Sequence, residues 1–233
     1  MRHLPAVCVL ALGMFSGAPS AAQIAAPGPP GPYVIDVRGA TSAIPQDPAF
    51  FPPVSTATIV PSRGSGIDVG AHVYLLRLGP GRVGIGASAQ RLRGTASPAE
   101  PTAGSTAATA GHATSPDVDA TFIAYGPQLS YNFGSAEGWS YVSAGVGRAQ
   151  VKTGTSAFGG GRSGTTMTPA RSVDSRLLSS TNIGGGARWF ARSHLAFSFD
   201  VRLHFLSAGA ADDTSPATPR TTLVVAAAGI SLR

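Results

Sequence analysis

The stretch Leu195-Ala-Phe-Ser-Phe-Asp-Val-Arg-Leu-His-Phe205 alternates between large apolar residues and small or polar ones. Successive side chains of a β-strand point to opposite faces, so this pattern predicts a strand with one apolar face and one polar face. The apolar residues take the odd positions, and Ser198, Asp200, Arg202 and His204 share the even ones. The stretch therefore predicts a β-strand that separates two different environments.

Seven further runs have the same period of two, at residues 33–41, 66–78, 83–93, 119–133, 139–151, 175–190 and 221–232. Short connections at 79–82, 134–138 and 191–193 alternate with long ones at 42–65, 94–118, 152–174 and 207–220. An even-numbered meander with its short turns at one end is typical of outer-membrane barrels. We therefore predict an all-β fold, an eight-stranded antiparallel transmembrane β-barrel, as an up-and-down meander with short periplasmic turns and four long extracellular loops.

Composition supports a barrel with lipid outside and a narrow lumen inside. Charged residues make up 12% of the 233 residues, about half the usual share of roughly 25%, and mean hydropathy is +0.15. The chain is therefore too apolar for a disordered protein. The polar strand faces carry Gly, Ser, Asn and Gln more than Lys or Glu, which a solvated face would favour. The single Cys excludes a disulfide framework or a thiolate metal site.

The N-terminus has the features of a secretory signal. Arg2 precedes an apolar run at 4–15, and Ser20-Ala-Ala22 supplies the small residues of a cleavage site. The apolar run is shorter than the roughly 20 residues a spanning helix needs. We expect residues 1–22 to be a cleaved signal peptide, 23–32 a Pro/Gly-rich linker and 33–233 the barrel domain, located in the cell outer membrane.

Aromatic residues cluster near the short-turn ends of several runs, where an interfacial girdle is expected. They are Tyr33, Tyr131, Phe133, Trp139, Tyr141, Trp189 and Phe190. The register of the fifth run is ambiguous, because Trp139 and Tyr141 differ in parity from Val142. A β-bulge would reconcile the two halves of that run.

Three segments carry a resemblance to a known group: Tyr125-Gly-Pro-Gln-Leu-Ser-Tyr-Asn-Phe133, Tyr141-Val-Ser-Ala-Gly-Val-Gly147 and Ala228-Gly-Ile-Ser-Leu-Arg233. With these, residues 33–233 resemble the small eight-stranded outer-membrane barrels, the OmpA/OmpX-like or outer membrane protein β-barrel domain group. The resemblance implies contact with outer-membrane lipid and lipopolysaccharide, and insertion by the barrel-assembly machinery. The chain departs from the group's pattern by ending at Arg233 without an aromatic residue in phase. We expect a monomer.

The lumen face is expected to hold a balanced set of charges and two histidines. These residues are Asp36, Arg38, Asp68, His72, Arg188, Asp200, Arg202 and His204. Buried charges need partners, so three acidic and three basic side chains predict a salt-bridged polar plug.

The alternatives to that plug are a hydrolytic site and a metal site. Ser198 and His204 lie about 20 Å apart along one strand, too far for a hydrolytic triad with Asp200. A pairing of His204 with Ser207 resembles outer-membrane lipid A deacylases but lacks their local motif. His72 and His204 are residues that bind metals, although lone lumen histidines are more often hydrogen-bonded fillers. We therefore expect no enzyme activity, no metal and no cofactor.

Basic residues gather at the long-loop ends of the strands: Arg63, Arg91, Arg93, Arg148, Lys152 and Arg176. Arginine forks bind phosphate in a bidentate manner, so this rim is a candidate for lipopolysaccharide contact, against the alternative of an ordinary solvated rim. No basic cluster interleaved with aromatic residues supports nucleic-acid binding. Phe50-Phe51 in the first long loop is either a partner contact or a cap on the barrel mouth.

Together these features predict a non-enzymatic outer-membrane barrel with a structural, envelope-integrity role or a loop-mediated binding role such as adhesion. Three alternatives remain at this stage: a narrow porin-like channel, a lipid-modifying hydrolase of the lipid A deacylase kind, and a soluble periplasmic barrel.

Overall fold

The computed structural model describes residues 31–52, 59–97, 116–135, 137–159, 167–211, 213 and 215–233. Its eight long strands are β1 (Tyr33–Ala43), β2 (Arg63–Leu78), β3 (Gly81–Ala96), β4 (Val118–Gly134), β5 (Gly138–Thr155), β6 (Leu178–Arg192), β7 (Leu195–Leu206) and β8 (Thr221–Leu232). The eight-stranded up-and-down architecture is thereby confirmed. The expected signal peptide and residues 23–30 of the linker lie outside the described residues.

The strands form a closed antiparallel ladder. Each strand pairs with its neighbours in sequence, and β8 pairs with β1, so none of the eight is an edge strand. One circuit of paired residues starts at Ser42 and ends at Pro32, ten residues earlier. It passes through Val225, Arg202, Gly184, Ser143, Ser130, Gly84 and Tyr74, whose amide bonds to the Pro32 carbonyl.

A stagger of ten residues over eight strands fixes the strand tilt. With a rise of about 3.3 Å and a strand spacing of about 4.8 Å, the tilt is about 40°. On β4 the outward residues are apolar from Ile123 to Phe133, whereas Thr121 and Asp119 above them are polar. At that tilt the ten-residue interval is about 25 Å tall, which is the height of the apolar band on outer-membrane barrels.

The fifth strand keeps one register along its whole length. The pairings of β5 with β4 and with β6 contain no bulge, so Trp139 and Tyr141 point into the lumen while Val142 points outward. The register shifts lie elsewhere, between Tyr74 and Leu76 of β2 and at the turn from β6 to β7.

The third long connection is more ordered than its sequence predicts. Strand β5 continues to Thr155 and pairs with a short strand, Arg171–Asp174, within the segment we expected to be a loop. Two-residue strands at Phe158–Gly159 and Met167–Thr168 pair with each other, and a 3-10 helix, Pro48–Phe50, lies in the first long connection. Among the described residues, no helix has the length and apolar character needed to cross a membrane.

Glycines on the lumen face allow the strands to approach closely. A Cβ added to Gly126 would lie 2.3 Å from the Val146 carbonyl oxygen, and one added to Gly147 would lie 2.2 Å from that of Tyr125. Such distances are far inside van der Waals contact, so these positions require glycine. The small polar-face residues of the sequence therefore serve close packing inside the barrel.

Candidate functional site

All eight residues expected in the lumen lie inside the barrel. Asp36, Arg38, Asp68, His72, Arg188, Asp200, Arg202 and His204 are each at most 3% exposed. They come from β1, β2, β6 and β7, at positions of one parity on each strand. The alternation of the strands thus delivers widely separated sequence positions to a single cluster.

Arg38 is the centre of this cluster. Its Nε lies 3.0 Å from Asp68, and its two terminal nitrogens lie 3.3 Å from Asp36 and 3.6 Å from Asp200. Its Nη1 also donates a 2.6 Å hydrogen bond to the Tyr141 hydroxyl. One guanidinium therefore contacts all three acidic side chains of the lumen.

Arg188 binds Asp36 in a bidentate manner. Its Nε and Nη2 donate to the two carboxylate oxygens of Asp36 at 2.8 and 2.7 Å, and the Ser231 hydroxyl donates to the same carboxylate. The Arg188 guanidinium also lies 4.0 Å from the centre of the Tyr141 ring. This geometry combines the strongest form of arginine–carboxylate pairing with a cation–π contact.

Arg202 completes the charge balance. It donates to Asp200 at 3.1 Å and to the Ser88 hydroxyl at 3.0 Å. Three carboxylates and three guanidiniums are thus paired within a region that water barely reaches. Removing one partner of such a set is strongly destabilising, because it leaves a buried charge without compensation.

The two lumen histidines have separate amide partners. His72 lies 3.2 Å from Gln128, whereas His204 lies 2.7 Å from Gln90. Within the described residues no group of three metal-ligating side chains is present. The Ser198 hydroxyl has no hydrogen-bond partner there, so no nucleophile–base contact joins it to His204.

Tyr141 is the cluster residue that sequence reasoning placed wrongly. Its hydroxyl receives the bond from Arg38 and donates a 2.6 Å bond to Asp200, so it bridges opposite charges. The parity of the fifth run was the available signal. Ser143 is polar and faces the lumen, whereas Val142 is apolar and faces outward. Counting back from these two residues places Tyr141 inside without a bulge.

The short-turn end of the lumen is filled by an aromatic cluster. Trp139 packs with Tyr74, Val34 and Phe190, and the Arg233 guanidinium lies 3.9 Å from the centre of the Phe190 ring. The predicted outer girdle is therefore wrong for three of its seven members, Trp139, Tyr141 and Phe190. The other four members face outward as predicted: Tyr33, Tyr131, Phe133 and Trp189.

The long-loop end of the lumen holds an apolar cluster that the sequence analysis did not predict. Its larger members include Leu92, Phe122, Leu178, Leu206, Leu223 and Val225, all at most 3% exposed. Phe50 and Phe51 lie over this cluster and are buried, and Thr153 donates a hydrogen bond to the Phe50 carbonyl at 2.5 Å. The Phe50-Phe51 pair is therefore a cap on the barrel mouth, and its interpretation as an exposed partner contact is wrong.

The predicted basic rim divides into paired and exposed side chains. Arg93 binds Asp119 at 3.1 Å and Lys152 binds Asp174 at 3.0 Å. Hydrogen bonds from Thr95 and Arg93 hold the pKa of Asp119, which lies above the apolar band, below its ordinary value.

The remaining rim residues keep exposed side chains. Arg148 donates to the Ser179 hydroxyl at 3.2 Å, and Arg63, Arg91 and Arg176 are exposed. Arg91 is opposite Ile123 in the ladder and Arg148 is opposite Tyr125, so both lie at the upper edge of the apolar band.

The outer surface of the strands is the reverse of the interior. Large apolar side chains face outward around the ladder, including Ile67, Leu129 and Phe197, which are 60%, 56% and 65% exposed. The chain has the architecture of a small eight-stranded outer-membrane barrel. In such barrels, outward apolar side chains face lipid and closure satisfies every backbone group.

Similar solved structures include those of two bacterial proteins. Neisserial surface protein A is 10% identical, with a TM-score of 0.47, over 87% of this chain and 97% of that one. The structure of the attachment invasion locus protein of Yersinia pestis is 12% identical, with a TM-score of 0.39. Its complex with the heparin analogue sucrose octasulfate gives 10% identity and a TM-score of 0.41. Both comparisons cover 86% of this chain and 97% of the other. No protein-family model and no characterised protein sequence matches the chain.

Replacing Tyr141 by Phe tests the bridge within the barrel's charge cluster. The change removes a buried hydroxyl between Arg38 and Asp200, so we expect a loss of about 1–3 kcal/mol in the free energy of unfolding. Urea unfolding of the barrel in lipid vesicles measures this quantity.

Tyr131→Phe is the matched control, because the Tyr131 hydroxyl lies on the outer surface and donates a hydrogen bond to the Leu78 carbonyl. We expect that substitution to change the unfolding free energy by no more than about 0.5 kcal/mol. Equal effects of the two substitutions would contradict the bridging role of Tyr141.

Proposed function

We propose that this protein is a non-enzymatic integral barrel of the outer membrane that conducts no solute, with its function on its outer surfaces. That function is envelope integrity or binding through the long loops. The observation that carries the proposal is the combination of an apolar exterior with an interior filled from end to end. Such a barrel offers partners only its lipid-facing surface, its rim and its loops.

The exterior favours lipid over water as the surrounding medium. Isolated exposed apolar residues are common on soluble proteins, but a continuous apolar patch of more than a few hundred Å² is not. Here the outward positions of every strand contribute to one band about 25 Å tall. A soluble periplasmic barrel would expose this band to water.

The interior argues against a channel. Along β1 the lumen-facing residues run from Val34 in the aromatic cluster, through Asp36 and Arg38 in the charge cluster, to Ala40 in the apolar cluster. Each of the three layers is buried. An eight-stranded lumen is just wide enough for side chains to fill, so these layers leave no aqueous path.

The partners of His204 argue against a lipid-modifying hydrolase. Its Nε2 contacts Gln90, and its ring packs edge-on against Phe122 at a centroid distance of 5.8 Å. A general base needs hydrogen-bond reach to a nucleophile that substrate can approach. A buried imidazole between an amide and a phenyl ring offers substrate no such access.

The rim supports a proposal about lipid partners. Arg91 and Arg148 are exposed on β3 and β5, one on each side of β4, at the upper edge of the apolar band. Phosphate groups of lipid headgroups lie at that height, and guanidinium forks suit them. We propose that these two residues contact lipopolysaccharide phosphates and that the protein works as a monomer in that lipid.

Membrane location is tested by the behaviour of the full chain in a Gram-negative envelope. We expect it to float with outer-membrane vesicles and to migrate differently on gels before and after boiling, because a closed barrel resists detergent until heated. A soluble fraction with identical migration before and after boiling would contradict the proposal.

Lipid contact at the rim is tested by charge reversal at Arg91 and Arg148 together. We expect Arg91→Glu with Arg148→Glu to reduce co-purified lipopolysaccharide about tenfold, the effect of losing two charge-assisted contacts. Arg171→Glu with Arg220→Glu is the control, since it makes the same charge change at residues farther above the band. Unchanged lipopolysaccharide in the first variant would remove this part of the proposal.

A further inference from the structure

A pair of arginines lies directly opposite each other at the short-turn end of the barrel. Arg77 of β2 and Arg82 of β3 are cross-strand partners, three residues from Tyr74 and two residues from Gly84 because of the register shift between them. Arg82 has the parity of lumen-facing Gly84, so both arginines belong to the lumen side of the mouth. Like charges directly opposite each other in a ladder are destabilising unless something neutralises them.

No acidic side chain among the described residues neutralises this pair. Within the described part of the chain, neither guanidinium makes an ion pair or hydrogen bond, and the Nε of Arg82 is buried without a partner. The lumen carboxylates are already engaged by Arg38, Arg188 and Arg202. Arg192 and Arg233 add further positive charge at the same end.

The next residue in the same ladder row extends the set of free donors. Asn132 of β4 is opposite Arg82 and is fully buried, yet neither its amide nitrogen nor its amide oxygen has a hydrogen-bond partner. Buried amides in proteins are nearly always bonded, so an unpartnered one opposite the unpaired Arg82 points to a missing ligand. Arg77, Arg82 and Asn132 therefore form a row of polar side chains without hydrogen-bond partners among the described residues.

The outer surface beside this row is strongly apolar. Leu75, Leu76 and Leu78 are 66%, 67% and 62% exposed on β2, and Tyr131 stacks with Phe133 at a centroid distance of 5.9 Å on β4. In the orientation of the proposed function, these side chains face the acyl chains of the periplasmic leaflet. Arg77 and Arg82 each lie two residues from the turn at 79–80, so the pair is at the barrel mouth, at the edge of that leaflet and within reach of a lipid phosphate.

We propose that the short-turn mouth binds a phosphate anion through Arg77 and Arg82, with Asn132 as an additional hydrogen-bond partner. This inference rests on the proposed membrane orientation. The two guanidiniums supply the charge and the bidentate donors that a phosphodiester or phosphate monoester requires. The bound anion in turn neutralises the positive charge of the two arginines and so removes the repulsion between them.

The experiment measures anion binding to the folded full chain in detergent by native mass spectrometry. The probes are phosphatidylglycerol, phosphatidylcholine and inorganic phosphate, each added separately. We expect preferential binding of an anionic probe, and a loss of about tenfold or more in its affinity for Arg77→Gln and for Arg82→Gln. Arg77 is exposed, so its variant keeps the barrel even if Arg82→Gln impairs folding.

Arg192→Gln is the matched control, because it removes the same charge at the same mouth from a residue outside the row. We expect its affinity to stay within about twofold of the wild type. Binding of phosphatidylglycerol that depends on Arg77 identifies a lipid headgroup as the ligand, and binding of inorganic phosphate with the same dependence identifies a free anion.

Equal affinities of Arg77→Gln, Arg192→Gln and the wild type for both anionic probes would overturn the site. That result would leave the membrane assignment intact, since flotation and heat-modifiable migration are measured without added anion. Conversely, a chain that fails to float can still bind phosphate in detergent.

Discussion

The rest of the structure depends on ladder closure between β8 and β1. A strand placed in hydrocarbon has no water to bond its backbone, and each unsatisfied group would cost several kcal/mol. Eight strands with a stagger of ten remove both edges and set a tilt of about 40°. At that tilt, the ten-residue apolar interval on β4 forms a band about 25 Å tall. An eight-stranded barrel with this stagger is also so narrow that side chains fill its interior.

The narrow interior then decides where polar groups can go. Burying a single charge costs several kcal/mol, so the lumen can hold charges only as a neutral set of ion pairs. Arg38 makes this possible because its one guanidinium contacts Asp36, Asp68 and Asp200, while Arg188 and Arg202 balance the remaining charge. Tyr141 joins two members of opposite sign, and the aromatic and apolar clusters close the cluster off at each end.

The alternation of single strands was enough to predict the barrel and the contents of its middle layer. β7 separates Asp200, Arg202 and His204 from its outward Phe and Leu residues, and all three are buried as that pattern requires. The upper apolar cluster follows the same parity, since Phe122 and Leu206 share faces with Gln128 and His204. It was missed because a polar lumen was assumed over the whole strand length.

Other features could not be predicted from the pattern because they depend on register between strands. The pairing of Arg77 with Arg82 follows from a one-residue shift after Tyr74, which strand sequences alone do not indicate. The packing of Trp139 against Val34 and Phe190 likewise joins residues of different strands. The burial of Phe50 likewise depends on the distant Thr153, which bonds its carbonyl.

Single-channel recording in a planar bilayer is the sharpest test of a filled and closed lumen. The folded wild-type chain is predicted to insert without producing any stable unit conductance, because charge, aromatic and apolar layers leave no aqueous path. A reproducible conductance step of constant size would contradict the account and would establish an open pore.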